Sequence, residues 1–200
     1  MKQQRALRTY EQTLDAAAAE FIRSGYARTT LAAVVGRTGM TKGALYGHFS
    51  SKEALAAALL ALGTAACADV LERAAAGAGS PTEALRLGVV GLLRQLGSDV
   101  RLRAALRLAV EPAAALDGAD RLVGLVGDFV LRQARAARAA GELPAACSPT
   151  AAAHFLLALV VGYERLLDTA GLGLDSRALQ DSWLILEHFV RTGRRDPPPD

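Results

Sequence analysis

Thr30-Leu-Ala-Ala-Val-Val-Gly-Arg-Thr-Gly-Met-Thr-Lys-Gly-Ala-Leu-Tyr-Gly-His-Phe-Ser-Ser-Lys-Glu-Ala-Leu55 is the stretch whose spacing decides the fold. It divides into a short apolar helix, a break at Thr38-Gly39-Met40, and a second short helix that opens at Thr41. Leu31, Val34 and Val35 fall on one face of the first helix, and Ala44, Leu45 and Phe49 on one face of the second. The opposite face of the second helix carries Thr41, Lys42, Tyr46 and His48, four side chains that donate hydrogen bonds to phosphate oxygens. Two short helices joined by a Gly-bearing turn are the pattern of a helix-turn-helix, whose second helix lies in the major groove of DNA.

The chain outside this segment reads as helix throughout. Ala and Leu dominate a sequence that is 52% hydrophobic and only 5% aromatic, a composition of strong helix formers. Leu7, Leu14, Ala17, Ala18, Phe21 and Ile22 share one face of a helix over 7–24 that Gly25 ends. Thr29 or Thr30 caps the next helix, and Ser50 or Ser51 caps a long one over about 52–76. Gly77-Ala78-Gly79 breaks that helix, and Ser80-Pro81-Thr82-Glu83 combines a capping box with Pro at the first helical position. Further helices are expected from 80 to 97, from Asp99 to near Pro112, over 117–140, from Ser148-Pro149 to about Thr169, and from Asp175 to Gly193. The expectation is an all-α chain of about nine helices, with a polar, Pro-rich tail from Arg194 that is disordered.

Charge is divided unevenly. Residues 1–52 hold eight Lys and Arg against three Asp and Glu, whereas residues 53–200 hold fifteen against seventeen. All three lysines lie in the first part. An electropositive head on a slightly acidic body is the footprint of a protein that meets a polyanion with one end. The expected division is therefore a DNA-binding domain over 1–52 and a helical effector-binding and dimerisation domain over 53–200. An architectural DNA-binding protein without an effector is the alternative of another class, and it would be basic along its whole length. Enzymatic chemistry is not expected: His48, His154 and His188 have no carboxylate or cysteine at catalytic or metal-ligand spacing, and no Gly-rich phosphate loop is present. No cofactor and no metal is called for.

Cys67 and Cys147 stand 80 residues apart outside any metal-ligand spacing, which suits buried thiols in a reducing cytosol. The N-terminal Met-Lys-Gln-Gln-Arg lacks the apolar core of a signal peptide. The charge-free run from Leu143 to Tyr163 is broken by Pro144 and Pro149, so no membrane span is expected. A cytoplasmic location follows as an expectation.

Thr-Lys-Gly-Ala-Leu-Tyr-Gly-His-Phe over 41–49, with Lys52-Glu53 after it, resembles the signature of the TetR family of bacterial one-component regulators. Phe21, Gly25, Tyr26, Thr29 and Thr30 fit the pattern that precedes it, and the resemblance covers about residues 10–60. It implies a homodimer with an N-terminal DNA-reading domain and a larger helical domain that binds an effector. Thr30, Thr41, Lys42, Gly43, Tyr46, Gly47, His48 and Lys52 are then the expected DNA-contacting residues. Within the family, residues 41–46, Leu102–Ala109 and Trp183 are similar to γ-butyrolactone autoregulator receptors. Two departures stand against that subgroup: Gly47 replaces an aromatic, and the 117–140 helix holds no Trp. A repressor released by a small apolar effector is the expected function, with a pseudo-receptor or an activator of the same family as the alternative.

In the body, Leu106, Val110, Phe129, Phe155 and Trp183 are the expected effector-lining residues, by the rule that apolar ligands settle between helices. Glu111 and Arg107 are expected to form a surface ion pair. The last two helices are expected to make the homodimer interface, because 154–163 is apolar nearly all round and Trp183, Leu184, Leu186 and Val190 add a second stripe.

Overall fold

A computed structural model of the chain describes residues 2–111, 116–144, 147–167, 181, 183 and 184. Among them are eight helices: α1 (Lys2–Arg28), α2 (Leu31–Thr38), α3 (Lys42–Tyr46), α4 (Lys52–Gly77), α5 (Pro81–Ser98), α6 (Val100–Val110), α7 (Ala119–Ala139) and α8 (Pro149–Leu166). The described residues contain no strand. The expected ninth helix falls mostly outside the described residues, although Asp181, Trp183 and Leu184 are helical. The expected disordered tail, Leu186 and Val190 lie outside them altogether.

The caps explain where most elements begin. Thr30 accepts from the Ala33 N–H at 3.2 Å and starts α2; Thr41 accepts from the Ala44 N–H at 3.3 Å and starts α3. Of the two serines before α4, Ser51 is the cap, accepting from the Ala54 N–H at 3.2 Å. Asp99 accepts from the N–H groups of Arg101 and Leu102 and starts α6. Each such cap contributes about 1 kcal/mol to the helix it starts. The capping box expected before α5 forms only by its Ser80 half, which accepts from the Glu83 N–H at 3.3 Å. The Glu83 carboxylate turns instead to Arg86, a charged fork at 2.6–2.8 Å that outcompetes a neutral amide. Glu142 reaches the helix start in its place, accepting from Ser80 Oγ and the Thr82 N–H.

Packing groups the described residues into two compact units, 1–68 with 96–125 and 69–95 with 126–200. The first holds α1, α2, α3, the opening turns of α4, and α6. Its core is Leu14, Ala17, Ala18, Phe21 and Ile22 of α1, Val34 of α2, Leu45 and Phe49 of the α3 region, Leu55, Ala56, Leu59 and Leu60 of α4, and Ala104 and Leu108 of α6. The α1 residues recur at the spacing of one helical face. Burying each large side chain here contributes about 1.5–3 kcal/mol. The packing unit that contains residues 1–52 also takes in 53–68 and α6. Gly63 shows how closely, since a Cβ there would come within 2.3 Å of the Ala105 Cβ. An Ala at 63 would force α4 and α6 apart.

The second unit contains the rest of α4 with α5, most of α7, and α8. Phe129 is buried beside Leu71 and packs against Gly88, where an added Cβ would stand 2.7 Å from its ring. The α7 helix starts at Ala119, two residues later than expected, after Gly118 in positive φ. It closes at Gly141 (φ 74), where the Glu142 N–H donates to the Ala137 carbonyl at 2.8 Å and the Gly141 N–H to the Arg138 carbonyl at 3.2 Å. That pair is a Schellman closure, and it requires the left-handed residue that Gly supplies.

One helix departs from the sequence expectation about membranes. By length and composition α4 is apolar enough to span a bilayer. Lys52, Glu53, Asp69, Glu72 and Arg73 lie along it, and Leu55, Leu59, Leu60, Val70 and Leu71 are buried inside the protein. That is the environment of a core helix. Both cysteines are free; Cys67 is buried, and burial pushes its thiol up to about 12, while Cys147 is half-buried rather than buried as expected.

Candidate nucleic-acid interface

The α3 segment has a sharply divided surface. Leu45 and Phe49 are buried, whereas Thr41, Lys42, Gly43, Tyr46, Gly47 and His48 are exposed. Tyr46 is a large aromatic with 54% of its surface open, in a protein where Phe21 and Phe49 are buried. Phe49 stacks on Tyr10 at 5.0 Å between centroids, and Tyr10 meets the edge of His48 at 6.0 Å. The outward face is therefore carried on a fixed aromatic base. Around Gly43 nothing lies within 4 Å of an added Cβ. At Gly47 a Cβ would meet only the Gly43 and Ala44 carbonyls at 3.4 and 3.6 Å, and its φ of −67° suits any residue. Thr30 is exposed at the start of α2.

Lys52 is tied inward. Its Nζ donates to the Tyr26 carbonyl at 2.9 Å and sits 4.2 Å from the centre of the Tyr26 ring. An ammonium has three donors, so two N–H groups remain for other acceptors. Glu53, the next residue, accepts from the Tyr26 hydroxyl at 3.0 Å. That bond and the local caps hold the Glu53 carboxyl below its usual range, chiefly through its own backbone N–H, and burial with the Glu53 contact raises the Tyr26 phenol. Tyr26 also stacks on Phe21 at 6.0 Å.

The same residue is held from a third side. Gly25 leaves helical geometry with φ 74° and ψ 169°, so α1 kinks there. The Tyr26 N–H is turned toward the Glu111 carboxylate, donating at 3.0 and 3.2 Å to its two oxygens. Glu111 thus does not form the surface ion pair expected with Arg107; a backbone donor freed by the kink receives it. At the other end of α6, Arg101 donates to Asp15 Oδ1 at 2.6 Å, to the Glu11 carbonyl at 3.1 Å, and to the Glu11 carboxylate. Contacts rise together in both numberings, so α1 and α6 run side by side in one direction.

Glu20 joins α1 to α2. It is 2% exposed and accepts from Arg23 at 2.6 and 3.2 Å, from Ser24 at 3.0 Å and from Arg37 at 3.5 Å. The Arg23 hydrogen bonds, aided by Ser24 and Arg37 and opposed by burial, hold its carboxyl below the usual range. Thr29 is buried and donates to the Gly25 carbonyl at 2.7 Å. Sequence reasoning did not single out Glu20, Tyr26 and Glu111 as a framework. The Gly25-Tyr26 pair was a visible signal, while the partner of Tyr26 lies 85 residues away.

The expected effector residues are distributed between the units. Leu106 is buried and Val110 half-buried in the first. Phe129 and Trp183 are buried in the second, where Phe155 is 56% exposed on α8. Phe155, Leu159 and Leu166 lie on the open side of α8, with Gly162 also exposed, while Ala153, Leu156, Val160 and Tyr163 are buried.

Known proteins share both this sequence pattern and this fold. The pattern of the bacterial regulatory proteins of the tetR family matches residues 14–59. The chain is 37% identical to the A-factor receptor protein of Streptomyces griseus over 110 residues, which are 55% of this chain and 38% of that protein. The match thus spans well under half of that relative's length. Among solved structures, the fold is similar to CprB from Streptomyces coelicolor A3(2), with a TM-score of 0.79, 32% identity, and coverage of 96% of this chain and 93% of that one. It is similar as well to a γ-butyrolactone receptor, with a TM-score of 0.78, 29% identity, and coverage of 92% and 88%. CprB has also been solved in complex with its biological operator sequence.

Proposed function

We infer that this chain, which belongs to the TetR family of bacterial regulatory proteins, is a cytoplasmic DNA-binding transcriptional repressor released by a small apolar effector. One observation carries the DNA-binding half of this reading. The α3 segment exposes Thr41, Lys42, Tyr46 and His48 while Leu45 and Phe49 anchor it from beneath. A helix of five residues with half its side chains turned outward contributes little to a core, and its polar face suits the major groove. Thr41 accepts from the Ala44 N–H, which leaves its hydroxyl hydrogen for a phosphate oxygen. Lys42 and the open backbone at Gly43 face base edges, and Tyr46, His48, Thr30 and Lys52 face the sugar-phosphate chains.

The likeness to A-factor and γ-butyrolactone receptors supports an effector of that lipophilic kind. With Gly47 after the recognition helix and no Trp along α7, the effector class is a small apolar molecule. Trp183 is the reporter for it, since its indole responds to a change of surroundings. Two copies joined through the open stripe of Phe155, Leu159 and Leu166 place two recognition helices on one operator, with half-sites about 34–36 Å apart.

Selection of duplexes from a random library by the full chain tests this directly. The expected result is an inverted repeat with half-sites one helical turn apart, or a multiple of it. Enrichment of no sequence would overturn the regulator reading.

A further inference from the structure

We propose that Glu111 is a positioning residue for DNA reading: its carboxylate, at the C-terminal end of α6, holds the elbow between α1 and α2 in the orientation that the recognition helix requires. The proposal rests on the DNA-binding function inferred above.

Three observations meet at this point. First, the kink at Gly25 removes the Tyr26 N–H from α1's own hydrogen-bond ladder, and a buried or half-buried amide needs an acceptor. Glu111 supplies it with both oxygens, at 3.0 and 3.2 Å, across 85 residues of chain. Second, Gly25 is required there twice over. Its φ of 74° suits Gly, and a Cβ would stand 3.1 Å from Glu111 Oε1, so the elbow is shaped around the carboxylate. Third, Tyr26 is no isolated donor. Its carbonyl and ring hold Lys52, its hydroxyl holds Glu53, and its ring stacks on Phe21.

A shift of Tyr26 is therefore passed to the start of α4, which follows the recognition helix by only a few residues. Arg101 fastens the other end of α6 to Glu11 and Asp15 of α1, so α6 is held along its length. The Glu111 contact is the one that reaches the elbow. Glu111 itself is not proposed to touch nucleic acid. It sets where α2 and α3 point.

Duplex binding by the full chain separates this role from simple stability. The probes are a duplex selected by the wild-type protein and a scrambled duplex of equal length. Glu111→Ala should lower affinity for the selected duplex about tenfold, the loss of one charged hydrogen bond expressed as binding, and leave the scrambled one within about twofold. Glu111→Gln keeps one acceptor oxygen and should recover most of the loss. A role confined to folding would lower both affinities by one factor and leave their ratio unchanged, and that result overturns the proposal, as does an Ala variant that binds like wild type. Should Glu111→Ala not fold, hydrogen exchange at the Tyr26 amide of the wild-type protein decides. Protection equal to that of helix-interior amides supports the contact, and free exchange refutes it. Failure of the wild-type chain to select any duplex would strike the DNA-binding function instead and leave the amide result standing.

Discussion

In the unit built from α1 to α3, the start of α4, and α6, polar groups decide where one helix meets the next. Glu20 joins α1 to α2, Arg101 joins α6 to α1, and Tyr26 gathers Glu111, Lys52 and Glu53. In the unit that holds α5 and α8, the Glu142 carboxylate reaches the start of α5, and Phe129 packs on Gly88 where there is no room for a Cβ. Directional bonds fix angles; apolar burial fixes only that surfaces meet. A head that must fit a groove needs the first kind of order.

Two phenylalanines probe that contrast with the largest effect. Phe21 is fully buried in the head and stacks on Tyr26, so Phe21→Ala should cost about 3–5 kcal/mol by urea unfolding and abolish duplex binding. Phe155 is 56% exposed, so Phe155→Ala should leave the stability of one chain within about 0.5 kcal/mol. It should weaken the dimer by more than about 1 kcal/mol in sedimentation, as loss of an aromatic anchor does. If both variants lost folding stability equally, the second unit would be as rigidly specified as the first.

A smaller effect tests the polar framework through pH. The Glu20 carboxyl is held below its usual value, so its contribution is fully present above about 4.5, the ordinary carboxylate value, and is lost as pH falls through the lower folded value. Glu20→Gln should cost about 1 kcal/mol at neutral pH, discounted because Arg23 is largely exposed. The gap to wild type should close as the pH drops below the carboxylate range. A gap that is constant with pH would mean that the Glu20 charge does not hold α1 to α2.

The two regions also differ in how much of them the sequence declares. Leu45, Phe49, Thr30, Thr41 and Asp99 were legible because a cap or a helical face is a local pattern a few residues long. The outward face of α3 was legible for the same reason. Glu111 was not, because its donor exists only after Gly25 kinks α1 and because the two residues are 85 apart. Glu83 was misassigned to a capping box since Arg86, one turn on, competes for the same carboxylate. The apolar body was legible as helices, yet Phe129, Phe155 and Trp183 look alike in sequence, and only the fold separates the buried pair from the exposed one.

If the outward face of α3 and the start of α4 lie against a duplex, the affinity for a selected duplex must fall as salt rises. Each phosphate neutralised adds about −0.9 to the slope of log affinity against log salt. A steep negative slope is expected, and Lys52→Ala should make it shallower by about 0.9, through the Nζ donors that the Tyr26 carbonyl does not engage. Wild-type binding that does not vary with salt would contradict that placement.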